Sequence, residues 1–419
     1  MEYLIIGNSA AGIGGVEGIR KCDPGGEIRI ISREPYHTYS RPLISYYLAG
    51  GVDIEKMKYR PDDFYENNRV DVILNKEVVG LNTDDKKVIL ENDETYNYDR
   101  LLIAAGGSPF IPPIEGTSKN NVYTFLELDD AKEIKKAIDS LTFKGYDSGK
   151  VIILGAGLIG LKAAEALTKL GLEVSVVELA DRILSTILDK EAAAIIQSHL
   201  EERGINFYLS DTIKEFIGGR EAVGAILKSG TTINCDLAVI AVGVRPNTSL
   251  VKDMEIAVNR GILVNDKLET SIEDVYAAGD VCEGYDMLRR EKSVIPIWPG
   301  AYKEGYTAGQ NMAGSKKVYK EGFARNSIGF FGLPMITAGL INPDGNNGTY
   351  DVFTEKSIED KSYRKIIISR NKLMGFIYLN NIDRAGILTG LIKEQKDIRN
   401  IKEKILSADF GYHTVRTFD

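Results

Sequence analysis

One supersecondary pattern occurs twice in this chain, and it limits the possible folds more than any other feature. Residues 3–20 read YLIIGNSAAGIGGVEGIR and precede IRIIS; residues 150–171 read KVIILGAGLIGLKAAEALTKLG and precede VSVVE. Each copy has an apolar strand, a glycine turn, a helix that opens with small residues, and a second β-branched strand. The first glycines, Gly7 and Gly155, are 155 − 7 = 148 residues apart. The repeat therefore predicts two dinucleotide-binding βαβ domains.

Proline and glycine clusters predict the linkers between these domains. SPFIPPIEGTS (108–118) and VGVRPNTSL (242–250) interrupt both the helical and the strand periodicity. DVYAAGD (274–280) resembles a further strand of the first sheet. We therefore expect the second βαβ domain to be inserted in the first.

The C-terminal part of the chain has a different character. YRKIIISRNKLMGFIYL (363–379) predicts a pair of strands, and RAGILTGLIKEQKDI (384–398) predicts an amphipathic helix. The predicted fold class is α/β, with two Rossmann-like domains and a small α+β C-terminal domain. The predicted boundaries are 1–112 and 243–318 for the first domain, 113–242 for the inserted domain, and 319–419 for the C-terminal domain.

Composition excludes several classes of function. The net charge is −8 and no basic cluster stands out, which argues against a nucleic-acid surface. No apolar run approaches the roughly 18 residues that span a bilayer, and MEYLIIG enters a strand without a signal sequence, so we expect a cytoplasmic protein. Cys22, Cys235 and Cys282 are far apart, which predicts free thiols and no metal site. The histidines are scattered as well, and we expect His199 on a helix surface.

The second glycine turn carries a full GxGxxG fingerprint. It comprises Gly155, Gly157, Leu158, Ile159 and Gly160. Its glycines permit a tight turn and a close approach of the pyrophosphate, which the helix N-terminus then binds.

Glu178 lies 178 − 160 = 18 residues after the last glycine of this fingerprint, where a carboxylate binds the ribose hydroxyls. A carboxylate there would repel a 2′-phosphate, so NADH is favoured over NADPH. Arg182 is near enough to leave NADPH open as the alternative.

The first fingerprint is weaker. It comprises Gly7, Ser9, Ala10, Ala11 and Gly12, with Ser9 in place of the second glycine. Glu34 lies 34 − 12 = 22 residues after Gly12, an acceptable distance for a ribose ligand. By itself this segment could equally be an ordinary tight turn.

Four further segments match one family in order. They are YNYDRLLIAAGGSPFIPP, AVGVRPNTSL, TSIEDVYAAGDV and IPIWPGAYKEGYTAGQNMAG. With the two fingerprints, they make the chain resemble the FAD- and NAD(P)-dependent oxidoreductases of the pyridine nucleotide–disulfide reductase superfamily over essentially its whole length. The resemblance implies FAD in the first domain and NADH in the second. It also implies that Asp280 binds the ribityl chain of FAD and that the segment IPIWPGAYKEGYTAGQNMAG contains a helix whose N-terminus faces the flavin. The other cofactor contacts that it implies are Val78, Ala105, Gly106, Gly243, Gly279, Trp298, Pro299 and Ala301.

The loop TYSRPLISYYLAG (38–50) distinguishes branches of this superfamily. Disulfide-reducing and water-forming members have a redox cysteine where this chain has Pro42, so we expect no thiol chemistry here. The loop instead resembles the YxRPxLS of NADH:rubredoxin reductases, the flavin segment of nitrite reductases and the ferredoxin reductases of oxygenase systems. Arg41 and Pro42 are then expected to contact the flavin; the alternative is that Arg41 meets only solvent.

Two positions depart from the ferredoxin reductases. Those proteins carry a Lys–Glu ion pair beside the flavin, at positions that are Tyr46 and Lys162 here. We take both as candidate catalytic residues. Lys162 would stabilise the reduced flavin or orient the nicotinamide, or it would simply extend to solvent.

The resemblance therefore predicts an enzyme, an NADH-dependent FAD oxidoreductase. Its expected partner is a protein acceptor such as rubredoxin or a ferredoxin-like iron–sulfur protein, with neither nucleic acid nor membrane bound, and it is expected to be a monomer or homodimer. Three alternatives stay open: an NADH oxidase that reduces oxygen, a reductase subunit of a larger complex, and a non-enzymatic flavin-containing NADH sensor.

Overall fold

The computed structural model describes residues 1–143, 149–252, 254–343, 349–407 and 410–416. Contacts divide the chain into two compact units. The first unit comprises Met1–Leu43, Val52–Ser108 and Val244–Phe323; the second comprises Ile44–Gly51, Pro109–Gly243 and Ala324–Asp419. The second unit thus contains the predicted inserted domain together with the C-terminal sheet. The division into three domains stays a prediction.

The first unit is built on a five-stranded parallel sheet. In spatial order its strands are Val275–Ala277, Arg100–Ile103, Glu2–Ile6, Glu27–Ser32 and Val70–Leu74. Strands such as Glu2–Ile6 read as nearly continuous apolar runs because both faces of a parallel sheet are covered. The pairing of Val275–Ala277 with Arg100–Ile103 confirms that this late segment returns to the first sheet.

The first unit also contains two smaller sheets and several helices. An antiparallel sheet is formed by Val78–Asn82, Lys87–Leu90 and Thr95–Asn97, and a mixed sheet by Ile262–Leu263, Cys282–Asp286 and Glu291–Ser293. The helices are Ala10–Cys22, Ile54–Met57, Phe64–Asn67 and Trp298–Met312, with 3-10 turns at Arg41–Leu43 and Ser249–Val251. Two short strands, Gly107–Pro109 and Val244–Pro246, lie where the chain passes between units.

Two helices of the first unit pack unusually closely. We call Ala10–Cys22 the first fingerprint helix and Trp298–Met312 the closing helix. A Cβ atom added at Gly14 would lie 2.2 Å from the Tyr302 carbonyl oxygen, and one at Gly309 would lie 2.2 Å from the Gly15 carbonyl oxygen. Glycine is required on both helices because backbone meets backbone.

The second unit repeats the parallel sheet. Its strands in spatial order are Asn206–Leu209, Glu173–Glu178, Lys150–Leu154, Leu237–Ile240 and Val122–Thr124, all parallel. An antiparallel sheet follows, made of Ile213–Ile217, Gly224–Leu227 and Thr232–Asn234. The matching strand orders confirm the predicted pair of Rossmann-like folds.

A five-stranded antiparallel sheet, the C-terminal sheet, completes the second unit. Its strands in spatial order are Arg325–Phe330, Leu333–Gly339, Lys372–Leu379, Ser362–Ser369 and Asp351–Ser357. The predicted hairpin is confirmed at Ser362–Leu379, and the predicted helix is Ala385–Glu394. The other helices of this unit are Ile44–Leu48, Leu128–Phe143, Leu158–Lys169, Lys190–Glu201 and Tyr412–Arg416, with a 3-10 turn at Lys402–Lys404.

His199 is not the surface residue that the sequence suggested. It is 6% exposed, and its Nε2 lies 3.1 Å from the Phe330 carbonyl oxygen of the C-terminal sheet. The helical pattern around it could not reveal that a distant strand covers this position.

Among the described residues, no helix combines the length and apolar character needed to cross a bilayer.

Candidate functional site

The first fingerprint forms a tight turn at the end of strand Glu2–Ile6. A Cβ at Gly7 would lie 2.2 Å from the Ala104 carbonyl oxygen, and one at Gly12 would lie 2.0 Å from the Gly7 carbonyl oxygen. Ser9 is the N-cap residue of the first fingerprint helix, but its side chain makes no capping hydrogen bond. The first N–H groups of this helix are therefore available to an anion such as a pyrophosphate.

Small residues surround the start of this turn. A Cβ at Gly279, whose φ is +79°, would lie 3.1 Å from the Ala11 Cβ and 3.4 Å from the Ala301 Cβ. Ala301 lies in the first turn of the closing helix, so two helix starts and the end of strand Val275–Ala277 come together here. Three predicted cofactor residues, Ala11, Gly279 and Ala301, thus form one cradle, which we call the first cradle.

Asp280 follows Gly279 and is partly buried. Burial raises the pKa of its carboxyl group, and the Arg41 guanidinium opposes that rise. Within the described part of the chain, no group donates a hydrogen bond to this carboxylate. A buried acceptor of this kind needs donors, and the hydroxyl groups of a ribityl chain are suitable donors.

Glu304 is a buried carboxyl group that sequence reasoning missed. It is 6% exposed, and its Oε2 accepts hydrogen bonds from the Gly279 N–H at 2.9 Å and from the Cys282 thiol at 3.6 Å. Burial raises its pKa to about 7, and the charge of Asp280 adds to that rise. Its helical sequence context gave no signal, because only the fold brings the closing helix to the Gly279 backbone.

The predicted ribose ligand of the first cradle is held by side chains. Glu34 is ion-paired with Arg41 and accepts a hydrogen bond from the Tyr39 hydroxyl at 2.5 Å. The Arg41 guanidinium also lies 5.6 Å from the centre of the Tyr39 ring. The alternative in which Arg41 meets only solvent is therefore not supported, since its side chain is 27% exposed and paired. Pro42 is exposed, and its contact with the flavin stays a prediction.

The remaining predicted residues of the first unit lie in ordinary structural positions. Trp298 packs edge-on against Tyr59 at 5.0 Å between ring centres, and Pro299 lies at the start of the closing helix. Val78 begins an antiparallel strand and is partly buried. The Ala105 carbonyl oxygen accepts from the Asn247 side chain at 2.8 Å, and the Gly106 carbonyl oxygen accepts from the Asn247 N–H at 2.9 Å. Asn247, which the sequence did not single out, thus fixes the carbonyl groups of this segment.

The second cradle is the GxGxxG turn at the end of strand Lys150–Leu154. A Cβ at Gly155 would lie 2.5 Å from the Ala241 carbonyl oxygen, and one at Gly160 would lie 2.0 Å from the Gly155 carbonyl oxygen. A Cβ at Gly157 would meet no described atom within 4 Å. The fold therefore does not require glycine at position 157, but a ligand that approaches this backbone would.

The other fingerprint residues surround this turn. Leu158 and Ile159 open the helix Leu158–Lys169, which we call the second fingerprint helix. Gly243, at φ +133°, ends the segment that follows strand Leu237–Ile240. Both cradles thus have the same sequence of strand, turn and helix.

Glu178 is held by backbone groups rather than by a cation. Its two carboxylate oxygens accept from the Ala156 N–H at 2.7 Å and from the Ala180 N–H at 2.8 Å. Arg182, the residue that left NADPH open, pairs with Asp181 at 2.7 Å. Asp181 also pairs with Lys190 at 3.0 Å. The cation nearest in sequence is thus bound to a carboxylate, which supports NADH.

Lys162 is buried in an ion pair that the sequence did not reveal. It is ion-paired with Glu165, donates to the Gly329 carbonyl oxygen at 3.3 Å, and its side chain is 12% exposed. Its ammonium group lies 4.7 Å from the centre of the Tyr46 ring, so both predicted catalytic residues lie together in the second unit. These contacts do not support the alternative in which Lys162 extends to solvent.

Glu165 is the centre of this cluster. It also accepts from Lys169 at 2.7 Å and from the Phe331 N–H at 2.9 Å. Burial would raise its pKa, but the hydrogen bonds from Lys162, Lys169 and the Phe331 N–H outweigh burial and lower it. The carboxylate is therefore charged, and it balances the charge of Lys162.

Comparison with known proteins identifies the family. The family described as pyridine nucleotide-disulphide oxidoreductase matches residues 1–305, and the domain described as rubredoxin NAD+ reductase C-terminal domain matches residues 325–396. The chain belongs to the pyridine nucleotide-disulphide oxidoreductases. The members of this family bind FAD and NAD(H).

Several known proteins are similar to this chain in sequence or in structure. The chain is 32% identical over 399 residues to a nitrite reductase [NAD(P)H] of Bacillus subtilis, covering 95% of this chain and 48% of that protein. It is 35% identical over 321 residues to an NADH oxidase of Methanocaldococcus jannaschii, covering 75% of this chain and 70% of that protein. The crystal structure of NADH:rubredoxin oxidoreductase from Clostridium acetobutylicum superposes with a TM-score of 0.75 at 27% identity, covering 100% of this chain and 99% of that chain. The chain spans about half of the length of the nitrite reductase.

The residues present fit the cofactors of this oxidoreductase family. In the first cradle, the Asp280 carboxylate offers an acceptor and the first fingerprint helix offers free N–H groups. In the second cradle, the space beside Gly157 and the fixed carboxylate of Glu178 suit a pyrophosphate and a ribose diol. The described cysteines are all free, with Cys22 exposed and Cys235 and Cys282 buried.

Proposed function

We propose that this chain is an NADH-dependent FAD oxidoreductase that passes electrons to a protein acceptor such as rubredoxin or a ferredoxin-like iron–sulfur protein. The observation that carries the proposal is the presence, in one chain, of two cradles with different chemistry. Among the described residues, none donates a hydrogen bond to the Asp280 carboxylate of the first cradle, and the Glu178 carboxylate of the second is bound by backbone N–H groups rather than by a cation. The match of residues 325–396 to a rubredoxin reductase domain supports the class of acceptor.

FAD, when bound, supplies the chemistry: it takes two electrons from NADH as a hydride and can release them one at a time. The protein has to bind FAD and NADH, orient them and provide the electrostatic environment of the flavin. We assign ribityl binding to Asp280, pyrophosphate binding to the two glycine turns, and ribose binding to Glu34 and Glu178. The balance is one NADH oxidised to NAD⁺ with release of one proton while two one-electron carriers are reduced.

Lys162 and Tyr46 are proposed to set the electrostatics of the flavin. A cation favours the extra negative charge that reduction brings. Since Glu165 balances Lys162, the net effect of the pair is smaller than that of an isolated lysine. Arg41, paired with Glu34, is proposed to contact the flavin.

A second candidate is an NADH oxidase that uses oxygen directly. The observation that favours it is the 35% identity to the Methanocaldococcus jannaschii NADH oxidase. Pro42 stands where water-forming oxidases carry their redox cysteine, so a cysteine-based reduction of oxygen to water is not part of this candidate. A role as a reductase subunit is the third, and the partial coverage of the nitrite reductase favours it.

Stopped-flow reoxidation of the flavin separates these functions. The protein is reduced anaerobically with NADH and then mixed with oxidised rubredoxin, with a [2Fe–2S] ferredoxin, or with oxygenated buffer. The proposal predicts that one carrier reoxidises the flavin at about 10⁵ M⁻¹ s⁻¹ or faster, well ahead of oxygen. Reoxidation by oxygen alone would favour the oxidase, and a flavin that no carrier reoxidises would favour an NADH sensor.

A cytoplasmic location and a monomeric or homodimeric state are also part of the proposal. Light scattering on the purified protein tests the oligomeric state.

A further inference from the structure

Residues 179–189 connect Glu178 to the helix Lys190–Glu201 and border the second cradle. We call this segment the specificity loop. Leu184, a buried residue in the left-handed region at φ +50°, donates its N–H to the Ala156 carbonyl oxygen at 2.9 Å. Ala156 lies inside the GxGxxG turn, and its own N–H binds Glu178. The loop is thus bonded directly to the turn that would receive the pyrophosphate.

The other end of the specificity loop is held by the C-terminal sheet. The Asp189 Oδ2 accepts from the Tyr363 hydroxyl at 2.7 Å and from the Lys365 ammonium at 2.9 Å. The Asn342 side chain donates to the Leu188 carbonyl oxygen at 3.0 Å. The side chains of Lys365 and Asp189 are 10% and 16% exposed, so this ion pair is largely shielded from solvent.

Asp189 is charged in this environment. Burial would raise its pKa, but hydrogen bonds from Lys365, the Ala192 N–H and Tyr363 outweigh burial and lower it. Its Oδ1 caps the helix Lys190–Glu201 by accepting from the Ala192 N–H at 3.0 Å. Asp189 therefore fixes the point at which the loop ends and the helix begins.

The middle of the loop is joined to its C-terminal end by backbone hydrogen bonds. The N–H groups of Ile187 and Leu188 both lie 2.9 Å from the Leu184 carbonyl oxygen. The path from the C-terminal sheet to the glycine turn therefore runs through Asp189, Leu188, Leu184 and Ala156. Each step is a hydrogen bond or a peptide bond.

We propose that the C-terminal sheet positions the specificity loop, through the contact of Lys365 and Tyr363 with Asp189, and thereby sets the affinity of the second cradle for the adenosine half of NADH. This inference rests on the proposed binding of NADH at Glu178. Lys365 and Tyr363 are positioning residues, which act on NADH only through the loop. The C-terminal sheet thus has a role in binding the electron donor, apart from any role toward the acceptor.

A matched control lies at the other end of the same helix. Lys361, in the turn between strands Asp351–Ser357 and Ser362–Ser369 of the C-terminal sheet, is ion-paired with Glu202 at the C-terminal end of the helix Lys190–Glu201. This contact joins the same helix to the same sheet but does not touch the specificity loop. Lys361→Met therefore removes a second lysine–carboxylate pair, whose side chains are 33% and 52% exposed, and leaves the contacts of Asp189 in place.

The experiment is anaerobic stopped-flow reduction of the bound flavin over a range of NADH concentrations. In Lys365→Met the apparent Kd for NADH should rise about fivefold or more, because the loop loses its anchor, while the limiting rate of reduction stays within about twofold. In Lys361→Met both values should stay within about twofold of wild type. Tyr363→Phe removes one hydrogen bond without stranding a charge, so its Kd should rise less but in the same direction, and it serves if Lys365→Met does not fold.

The binding of ADP-ribose, measured by calorimetry, tests the same loop without any redox reaction. Its Kd should rise in Lys365→Met by the same factor as that of NADH, because the loop meets the adenosine half. Unchanged binding of NADH and ADP-ribose in folded Lys365→Met or Tyr363→Phe would overturn the inference, and so would an equal rise in Lys361→Met. A wild-type flavin that NADH does not reduce would overturn the proposed function itself, which is a distinct outcome.

Discussion

The two fingerprint helices share a glycine and a glutamate but differ in the residue that lies two positions after that glycine. Five residues after the last glycine, both carry a glutamate, Glu17 in the first and Glu165 in the second. Two residues after that glycine, the first helix has Gly14 and the second has Lys162. In the first, Gly14 allows the closing helix to pack backbone against backbone, and Glu17 binds Arg60 at 2.8 Å and the Tyr302 hydroxyl. In the second, the same two positions form the Lys162–Glu165 ion pair.

The carboxylates at or just after the end of the second strand of each βαβ unit also differ in the groups that bind them. Glu34 is bound by the Arg41 cation and the Tyr39 hydroxyl, whereas Glu178 is bound by two backbone N–H groups. The first cradle is closed by tightly packed helices and has a carboxylate that is paired with a cation. The second has open space at Gly157 and a carboxylate that is bound by backbone N–H groups. These differences suit a resident cofactor in the first cradle and an exchanging, selected one in the second.

The largest expected effect follows from removing the Asp280 carboxylate of the first cradle, to which no described group donates a hydrogen bond. A hydrogen bond to a charged group contributes about 1.5–3 kcal/mol, so Asp280→Ala should raise the Kd for FAD roughly 10- to 150-fold. The purified variant should have little absorbance at 450 nm relative to 280 nm, with an unchanged circular dichroism spectrum. Glu178→Ala is the control in the other cradle and should keep its flavin. Full flavin content in Asp280→Ala would contradict the assignment.

Opposite pH responses are the second expected difference between the units. Glu304 in the first unit has a pKa of about 7 against an ordinary value of 4.5, so its contribution to stability is full below pH 4.5 and is lost as pH rises through 7. The loss is at most about 3 kcal/mol, from about 1.4 kcal/mol per pKa unit. Glu165 in the second unit has a lowered pKa, so its contribution is present above the ordinary value and is lost as pH falls.

Glu304→Gln tests this difference, because glutamine keeps an acceptor for the Gly279 N–H but does not ionise. Urea unfolding followed by flavin fluorescence at pH 6 and pH 8 should show a smaller loss of stability in Glu304→Gln than in wild type. Equal losses in the two proteins would mean that Glu304 does not titrate in this range.

A smaller effect is expected from the ion pair that distinguishes the second fingerprint helix. If Lys162 acts on the flavin as proposed, Lys162→Met should lower the midpoint potential of the flavin and Glu165→Gln should raise it. Each shift should be about 30 mV, which corresponds to about 1.4 kcal/mol for two electrons. Redox titration of both variants beside wild type measures the shifts. Shifts of the same sign, or none, would return the pair to a purely structural role.

The smallest expected effect concerns the choice of nicotinamide. Wild type should prefer NADH over NADPH by at least about tenfold in kcat/KM, or about 1.4 kcal/mol. Glu178→Gln should narrow that ratio because it removes the charge that repels a 2′-phosphate while keeping an acceptor oxygen. Glu34→Gln, the matching change in the first cradle, should leave the ratio unchanged. Steady-state rates with both donors and ferricyanide decide it, and an unaltered ratio in Glu178→Gln would show that this carboxylate does not read the ribose.

The parts of this comparison that sequence could predict are local. A strand, a glycine turn and a helix are encoded in consecutive residues, so both Rossmann-like folds, the return strand Val275–Ala277 and the C-terminal hairpin were predicted correctly. The position of Glu178 after the fingerprint also follows from spacing along the chain.

The contacts that sequence could not predict join distant segments. Glu304 bonds to Gly279, Glu165 to the Phe331 N–H, and His199 to Phe330, at separations of 25, 166 and 131 residues. The sequence showed only that Tyr46 and Lys162 stand where the ferredoxin reductases that this chain resembles carry lysine and glutamate, and it indicated no partner for Lys162. The fold instead supplies Glu165 from the same helix and buries both residues under the C-terminal sheet hairpin.

The central claim is that the first cradle holds FAD permanently while the second exchanges NADH. The most direct test is an anaerobic titration of the gel-filtered protein with NADH, followed by desalting and analysis of bound and free nucleotide. We predict that FAD stays with the protein, that about one equivalent of NADH bleaches the 450 nm band, and that NAD⁺ appears in the free fraction. A flavin that is lost on gel filtration, or one that NADH leaves oxidised, would contradict the account.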